Sequence, residues 1–397
     1  MSDYVEATWA PAAEPRAAWP AVISLALGVF ALVTAEFLPA SLLTPMARSL
    51  DVSEALAGQA VTATAVVAFF SGLLAAVVTR GLDRRVVLMG FSTLMIASNL
   101  LVAIAPTVPL LLLARLLLGV ALGGFWSMAT AVAIRLVPPA MVPRALSVVF
   151  SGVSVATIVA VPLGSYLGGL YGWRMVFLLA AGLGAITLLV QMATLPRLAS
   201  LGAARLDTLL TVLRRPSISL GMLCVIMVFS GHFALFTYLR PLLERIASGR
   251  IDNIALILMS FGLANFAGTL MAGFLLERSV RLTLALMPLL IAAAGLGLIL
   301  LNGGLPLQAA LVALWGLAFG TIPVGWSTWL ARAVPDETES GGGLIVAAVQ
   351  VAITVGAAGG GAIYALTGVA GVFVTGGSLM LVTALVIFTG LFRTARS

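Results

Sequence analysis

Long apolar runs separated by short polar gaps make up nearly all of the 397 residues. A helix needs about 20 consecutive apolar residues to cross the hydrocarbon core of a bilayer. Twelve runs reach that length, and we number them spans 1 to 12: 19–43, 57–79, 86–105, 108–134, 145–169, 175–195, 217–239, 253–276, 282–301, 306–331, 342–367 and 370–392. The pattern predicts an all-α polytopic membrane protein with twelve transmembrane helices.

The composition agrees with this pattern. Hydrophobic residues make up 61% of the chain and charged residues only 9%, whereas roughly 25% of the residues in an ordinary soluble domain are charged. Lipid contact explains how so much apolar surface is kept without aggregation. The first apolar run is too long for the core of a signal peptide and follows no basic region, so we expect it to stay in the membrane as span 1.

The distribution of positive charge along the chain indicates how it is oriented in the membrane. All 21 basic residues are arginine, and the net charge is +7. If the N-terminus lies inside, fifteen arginines fall on the inner side and five on the outer side, which places both termini in the cytoplasm. Since most of the arginines lie in gaps between spans, we expect the lipid bilayer, and no nucleic acid, as the partner of this charge.

An internal repeat divides the chain into two sets of six spans. The pairs Gly119 and Gly123 in span 4 and Gly316 and Gly320 in span 10 are both offset by 197 residues. The predicted units are a cytoplasmic tail (1–18), an N-terminal six-helix bundle (19–195), a cytoplasmic linker (196–216), a C-terminal six-helix bundle (217–392) and a second tail (393–397). Two pseudo-symmetric halves of this kind place a substrate cavity at their interface, near the bilayer midplane.

Glu36 is the only acidic residue inside any of the twelve spans. An ionised carboxylate in the hydrocarbon region is costly, so a carboxyl group there exchanges a proton readily and suits proton coupling. The alternative is a structural carboxyl group that bonds backbone freed by Pro39. His232, the only histidine, lies near the centre of span 7, and Arg115 lies inside span 4. Both are candidates for proton coupling, with interhelical packing as the alternative.

Polar and aromatic residues inside the spans are candidates for substrate binding. Aromatic rings stack on flat ligands, and amides bond ligand edges or hydroxyls. The candidate residues are Gln59, Phe125, Trp126, Phe236, Tyr238, Asn265, Trp326 and Gln350. Ordinary helix packing is the alternative for each aromatic residue.

Charged residues in two corresponding loops are candidates for gating. Asp83, Arg84 and Arg85 follow span 2, and Glu277 and Arg278 follow span 8. We expect charge contacts that hold one gate conformation, or simple positive-inside anchors. None of them is expected at the substrate.

These features together resemble the major facilitator superfamily, in its drug:proton antiporter (DHA1) branch. The loop Asp83-Arg84-Arg85 resembles the signature between helices 2 and 3, although Val86 replaces the usual glycine. Arg115 with Gly119 resembles the helix 4 signature, although Leu118 replaces its glutamine. The resemblance implies the major facilitator fold and a bacterial inner-membrane antiporter.

Longer strings resemble the purine ribonucleoside efflux group of that superfamily. They are Glu36-Phe-Leu-Pro39, Ser41-Leu-Leu-Thr-Pro-Met-Ala47, Leu122-Gly-Gly-Phe-Trp126, Arg135-Leu-Val-Pro-Pro139 and Pro323-Val-Gly-Trp-Ser-Thr-Trp329. This likeness implies export of inosine- and guanosine-type nucleosides in exchange for protons. Sugar or multidrug efflux within the superfamily remains an alternative, because sugar efflux transporters share part of these strings.

Two functions of other classes are disfavoured by the residue inventory. One histidine, one cysteine and one intramembrane acid supply neither a metal cluster nor an ordinary catalytic triad, so we expect no enzyme and no metal site. Without lysine the chain has no phosphate-binding Gly-Lys-Ser/Thr loop, so an ordinary ATP-driven pump is excluded, and transport would draw on an ion gradient or run downhill. We expect no cofactor, and the resemblance implies a proton gradient as the energy source. A non-transporting receptor or scaffold would need no duplicated halves and no buried acid. We expect the chain to act as a monomer.

Overall fold

The computed structural model describes residues 17–200, 206–246, 251–301 and 303–391, and this part of the chain is α-helical without a β-strand. Most of the predicted N-terminal tail, the middle of the predicted linker, and the C-terminal tail lie outside the described residues, so these predictions stay open.

The first half of the chain contains six long helices and one short one. The helices are α1 Trp19–Ser41, α2 Leu43–Ser49, α3 Glu54–Val78, α4 Arg84–Ile104, α5 Val108–Arg135, α6 Val142–Tyr171 and α7 Trp173–Thr194. The second half repeats this order after a linker helix. Its helices are α8 Leu206–Arg214, α9 Pro216–Thr237, α10 Leu239–Ile246, α11 Ile251–Arg278, α12 Val280–Leu300, α13 Leu305–Ala333 and α14 Thr338–Val386, which continues as a π-helical turn at Ile387–Leu391.

Helix α14 holds two predicted spans in one element. Its 49 residues would extend for roughly 74 Å if straight, more than twice the hydrocarbon thickness of about 30 Å. The helix breaks at Gly368, whose φ of 70° and ψ of −174° are strained for any residue with a Cβ. This break falls between the predicted spans 11 and 12. Eleven helices of the described ranges are long and apolar enough to span a membrane, and the longest of them provides the twelfth crossing.

The repeated glycines give the two halves the same helix pairing. A Cβ at Gly119 on α5 would lie 2.7 Å from the carbonyl oxygen of Thr64 on α3. The corresponding Gly316 on α13 abuts the carbonyl oxygen of Phe261 on α11. Gly316 and Phe261 each lie 197 residues after their counterparts. Because glycine lets two backbones approach closely, the repeat found in the sequence is also a repeat of helix contacts, as the predicted two-half fold requires.

The bundle has two chemically different ends. One end, called the basic end below, carries Arg84, Arg144 and Arg278 at helix termini. The other end, called the opposite end, carries the short helices α2 and α10. These follow α1 and α9 at equivalent places and were not predicted from the sequence.

The linker also folds at the basic end. Arg215, the residue just before α9, donates to Asp336 at 2.7 Å. This hydrogen bond lowers the pKa of Asp336 and raises the pKa of Arg215. The side chains are 38% and 55% exposed, so solvent screening leaves the pair a small contribution to stability.

Candidate functional site

Glu36 lies in the last turns of α1, toward the opposite end, and its side chain is half-buried. Pro39 follows three residues later inside the same helix. Proline has no N–H to donate, so the carbonyl group four residues earlier, that of Ala35, loses its helical hydrogen bond. The chain therefore places an acid beside a stretch of backbone that needs an outside donor.

Arg115 supplies that donor from α5. Its Nη1 donates to the carbonyl oxygen of Ala35 at 2.9 Å, and its Nη2 donates to that of Glu36 at 3.4 Å. Its Nε donates to the carbonyl oxygen of Ala60 on α3 at 3.3 Å, and the whole side chain is buried. Arg115 therefore joins three helices, and it takes the structural role that the sequence had left open for the Glu36 carboxyl group.

The Glu36 carboxyl group keeps its own oxygens available. Among the described residues it forms no side-chain hydrogen bond and no ion pair within 4.0 Å. Arg115 bonds the backbone carbonyl groups of Ala35 and Glu36, so its positive charge lies near the Glu36 carboxyl group without pairing with it. Such a carboxyl group can bind a proton, or release it beside a fixed positive charge, without breaking a protein contact. Its part in proton coupling stays a prediction.

His232 lies on α9, inside a cluster of aromatic rings from the second half. Its ring is parallel to that of Phe319 at a centroid distance of 3.3 Å, and the ring of Phe236 stacks at 5.4 Å. Trp315 Nε1 donates to His232 Nδ1 at 3.1 Å, and the histidine is 2% exposed. An Nδ1 that accepts a hydrogen bond carries no proton, so this contact holds the neutral imidazole. The structure brings Glu36 and Arg115 together and places His232 among aromatic residues.

Two predicted amides connect the halves near mid-height. Asn265 Oδ1 accepts from Ser154 Oγ at 3.0 Å, and Ser154 Oγ also lies 3.1 Å from Thr269 Oγ1. Gln350 Nε2 donates to the carbonyl oxygen of Ala65 at 3.4 Å. Ser154 and Gln350 each lie twelve residues from the basic-end start of their helices, a rise of about 18 Å. The amides therefore lie where the two halves meet.

The predicted aromatic residues fall into different environments. Trp126 pairs with Phe150 at 5.2 Å, and Tyr238 stacks on Tyr364 at 5.0 Å. Phe236 is 38% exposed. These rings are open to a ligand or to lipid on at least one side.

The remaining substrate candidates lie elsewhere. Phe125 is fully buried and its ring packs against Gly28 on α1, while Trp326 is 1% exposed and packs against Trp329. Gln59 is exposed near the opposite end of α3. In this conformation Phe125 and Trp326 are buried packing residues within their halves.

A buried ion pair joins the halves at the basic end. Arg84 Nε donates to Glu339 Oε1 at 2.5 Å, and Arg84 Nη2 bonds the second carboxylate oxygen. Arg84 is 0% and Glu339 8% exposed. Sequence reasoning missed Glu339, because it lies in the first turn of α14, just before the predicted span 11. The only signal in the sequence was an acid facing the same side of the membrane as the arginine loops.

A second and more exposed ion pair joins α6 to α11. Arg144 Nε lies 2.8 Å from Glu277 Oε1. Arg144 was predicted only as a topology signal. The other gating candidates make contacts within their own half. Asp83 caps α4 by accepting from the backbone N–H of Arg85 at 2.8 Å, and Arg85 Nη2 donates to the carbonyl oxygen of Met192 on α7 at 2.5 Å. The Arg278 guanidinium lies over the ring of Phe274 at 4.2 Å.

All these contacts between halves lie at the basic end or at mid-height. Closer to the basic end, Gly342 and Gly343 on α14 abut the carbonyl oxygens of Ser127 on α5 and Gly72 on α3. Within the described ranges, the side-chain hydrogen bonds and ion pairs between halves stop at the level of Ser154 and Gln350. The conformation is therefore closed at the basic end.

A separate cavity of about 460 Å³ lies inside the second half at the opposite end. Its lining includes Leu242, Arg245, Leu298 and Val369. Because all of these residues belong to one half, this cavity is distinct from the interface that holds Asn265.

Duplicated six-helix halves that meet at mid-height polar groups define the architecture of a secondary transporter, a multi-pass membrane protein. The comparison with family models agrees, since the model of the Major Facilitator Superfamily matches residues 25–249. The chain belongs to the major facilitator superfamily, as the motifs in its loops and helices had indicated.

Relatives and solved structures extend this result. The purine ribonucleoside efflux pump NepI of Salmonella typhimurium is 46% identical over 374 residues, which are 94% of this chain and 94% of that protein. The protein of the same name from Salmonella typhi gives the same values. The resemblance inferred from the short strings is confirmed.

Two solved structures share the fold at low sequence identity. The human organic anion transporter MFSD10 (TETRAN) has a TM-score of 0.73 at 17% identity and covers 95% of this chain and 100% of its own. The proton:xylose symporter XylE, bound to 6-bromo-6-deoxy-D-glucose, has a TM-score of 0.73 at 14% identity and covers 94% and 96%. At these identities the likeness concerns the fold alone.

Proposed function

We propose that this protein exports purine ribonucleosides across the bacterial inner membrane in exchange for protons. The observation that carries the proposal is the Glu36 carboxyl group, held beside Arg115 in the membrane interior without a hydrogen-bond partner among the described residues. The substrate class follows the relatives named purine ribonucleoside efflux pumps, at 46% identity over 94% of the chain.

The arginine distribution supports the orientation. Positively charged loops stay on the cytoplasmic side, so the basic end faces the cytoplasm, together with both termini. The closed ion pairs then seal the cytoplasmic side, and the conformation described above is the one open to the periplasm. Glu36, in the periplasmic half of α1, is positioned to take a proton from that side.

The transport cycle follows from this arrangement. Proton binding at Glu36 accompanies the periplasm-facing state, and rocking of the halves opens the basic end and lets the proton leave to the cytoplasm. A nucleoside then occupies the interface and is carried outward. One charge moving through 100 mV supplies about 2.3 kcal/mol, enough for a concentration ratio of several tens.

The mid-height amides support recognition of a nucleoside. In the present state Asn265 and Gln350 bond the other half. When the basic end opens these bonds break. Asn265 Nδ2 keeps its bond to the Gly316 carbonyl oxygen within the second half, but Asn265 Oδ1 and Gln350 Nε2 then require new partners in the membrane interior. Base edges and ribose hydroxyls supply them, and Trp126 or Phe236 offers a ring for the purine face.

A thermal-shift screen tests the substrate class. Ligand that binds the folded state raises stability in proportion to ln(1 + [L]/Kd). The purified protein is heated with inosine, guanosine, arabinose or a lipophilic cation at equal concentrations. Purine nucleosides are expected to give the largest stabilisation. A larger shift with arabinose assigns the protein to sugar export, and a larger shift with the cation assigns it to multidrug export.

A further inference from the structure

The cavity at the opposite end of the second half lies where the fold repeat places a packed cluster in the first half. Its volume of about 460 Å³ is within the range of about 300–1,000 Å³ that is usual for small-ligand sites. Its walls come from α10, α12, α13 and the part of α14 that follows the break at Gly368.

Three lining residues of the cavity have counterparts in the first half, identified by the residues that precede them. A proline precedes the first pair, a glycine with positive φ the second, and a Pro-Leu dipeptide the third, at offsets of 196, 196 and 197 residues. The pairs are Met46 and Leu242, Trp173 and Val369, and Leu111 and Gln308. The two halves can therefore be compared position by position.

In the first half these positions are filled. Met46 and Leu111 are 0% exposed and Trp173 is 4% exposed, and all three belong to one buried cluster. The guanidinium group of Arg174 lies over the Trp173 ring at 4.2 Å and donates to Ser49 Oγ at 2.7 Å. The first half thus closes this place with an indole ring and with a guanidinium group that other protein groups bond.

In the second half the same place has smaller and more polar side chains. Val369 and Ala370 replace the indole and the guanidinium of the first half, and Gln308 replaces a leucine. A guanidinium group is still present, but it belongs to Arg245 on α10, which matches Ser49 at the offset of 196 residues. Among the described residues, Arg245 has no hydrogen bond and no ion pair within 4.0 Å. A cation without a protein partner beside an apolar cavity favours an anionic ligand with an apolar part.

The cavity adjoins the surface that faces lipid. Leu300, the last residue of the spanning helix α12, is 73% exposed, and Leu301, which lines the cavity, is 54% exposed. Leu298 and Ile299 continue the apolar wall on the same helix. Since the end of a spanning helix lies at the edge of the hydrocarbon region, acyl chains and headgroups of lipids both come within reach of this cavity. Arginine side chains near helix ends extend to the same boundary.

We propose that this cavity binds an anionic phospholipid from the bilayer leaflet at the opposite end. The headgroup phosphate bonds the Arg245 guanidinium, which offers two parallel N–H donors to such a group. The first part of an acyl chain lies along Leu298 and Leu301, in the place that corresponds to the Trp173 ring. A zwitterionic lipid binds less well, because its ammonium group repels the guanidinium. This inference depends neither on proton exchange nor on the nucleoside.

Native mass spectrometry of the delipidated protein in detergent tests the inference by the dissociation constant of the first bound lipid. The probes are dioleoylphosphatidylglycerol and dioleoylphosphatidylcholine, which share their acyl chains and differ in headgroup charge, and glycerol phosphate, which lacks the chains. We expect the anionic lipid to bind about fivefold more tightly than the zwitterionic one. Equal binding of the two lipids overturns the inference. Displacement of the anionic lipid by glycerol phosphate at equal concentration assigns the site to a free phosphate ester, and so overturns the lipid as its ligand.

Two variants change the cavity itself. Arg245→Gln removes the charge, and is expected to lower the affinity for phosphatidylglycerol about fivefold, to that for phosphatidylcholine. Val369→Trp restores the ring that fills the first half, and is expected to remove tight binding of both lipids because the space for the chain is lost.

Arg48→Gln is the matched control. Arg48 is an exposed arginine in the last turn of α2, as Arg245 is in the last turn of α10, but the adjoining place in its half is filled by Trp173. This variant is expected to bind both lipids as the wild type does. An unchanged lipid preference in Arg245→Gln, or an equal loss in Arg48→Gln, overturns the inference. If Val369→Trp does not fold, the comparison of the two arginine variants decides in the same way.

Discussion

At the residue scale, Arg115 and Glu36 have different roles. Arg115 bonds the backbone of α1, and the Glu36 carboxyl group makes no hydrogen bond to the described residues. Pro39 removes the helical partner of the Ala35 carbonyl group, and Arg115 replaces it from another helix. A carbonyl group left unbonded in the membrane interior would be costly. Because the guanidinium group bonds the backbone carbonyl groups, the Glu36 carboxyl group is available for the proposed proton exchange.

These roles predict that substitutions of Arg115 and Pro39 have non-additive effects on the free energy of unfolding. Arg115→Met leaves the Ala35 carbonyl group unbonded and should destabilise the protein by about 1–3 kcal/mol. Pro39→Ala restores an N–H for that carbonyl group, so Arg115→Met should cost less in the Pro39→Ala background, by about 1 kcal/mol. Thermal unfolding of the two single variants and the double variant in detergent measures the coupling. Strict additivity would show that the arginine does not serve this carbonyl group.

Some site residues could be predicted from the sequence, and others could not. Glu36 stands out because a single acid inside an apolar span is conspicuous without any structure. Glu339 does not, because it lies at a span boundary and its partner Arg84 is 255 residues away.

At the element scale, glycine positions set how closely the long helices pack. Gly320 on α13 abuts the carbonyl oxygen of Asn265, and Gly123 on α5 abuts that of Ala68 at the equivalent place in the first half. The apolar runs and the glycine spacing predicted these elements well. The short helices α2 and α10 were missed, because seven or eight residues give no spanning signal.

Helix packing gives a prediction with an internal control. Gly320→Ala places a methyl group against backbone that has no room to yield, and should destabilise the protein by about 1–3 kcal/mol. Gly123→Ala should behave alike, as the repeat requires. Gly182→Ala, at a helix position with open space around it, should be neutral or slightly stabilising because alanine favours helix. Melting temperatures in detergent compare the three, and equal values would contradict the packing account.

At the scale of the whole molecule, the conformation is held by contacts at the basic end. The Arg84–Glu339 pair is buried. Removal of one partner from a buried pair costs about 3–5 kcal/mol, since it leaves an uncompensated charge. Such a loss is large enough to change which conformation dominates.

Glu339→Gln should therefore open the basic end. Spin labels at Gly81→Cys and Arg278→Cys, exposed positions on the two halves, report the separation of the halves, and the native Cys224 is fully buried and stays unlabelled. The distance distribution measured by electron paramagnetic resonance should shift to longer distances by several ångströms.

Asp336→Asn is the control for this experiment. It breaks the exposed pair with Arg215, which lies within the second half, and should leave the distances unchanged. An unchanged distribution in Glu339→Gln would mean that the ion pair does not hold the gate.

The central claim is that Glu36 carries the proton that is exchanged for a nucleoside. Proteoliposomes loaded with inosine and a pH-sensitive dye, with the membrane potential clamped by valinomycin and K⁺, measure this exchange directly. As inosine leaves, the lumen should acidify with the wild-type protein. With Glu36→Gln it should not, although that variant inserts and is still stabilised by inosine. Equal acidification by Glu36→Gln would contradict the account.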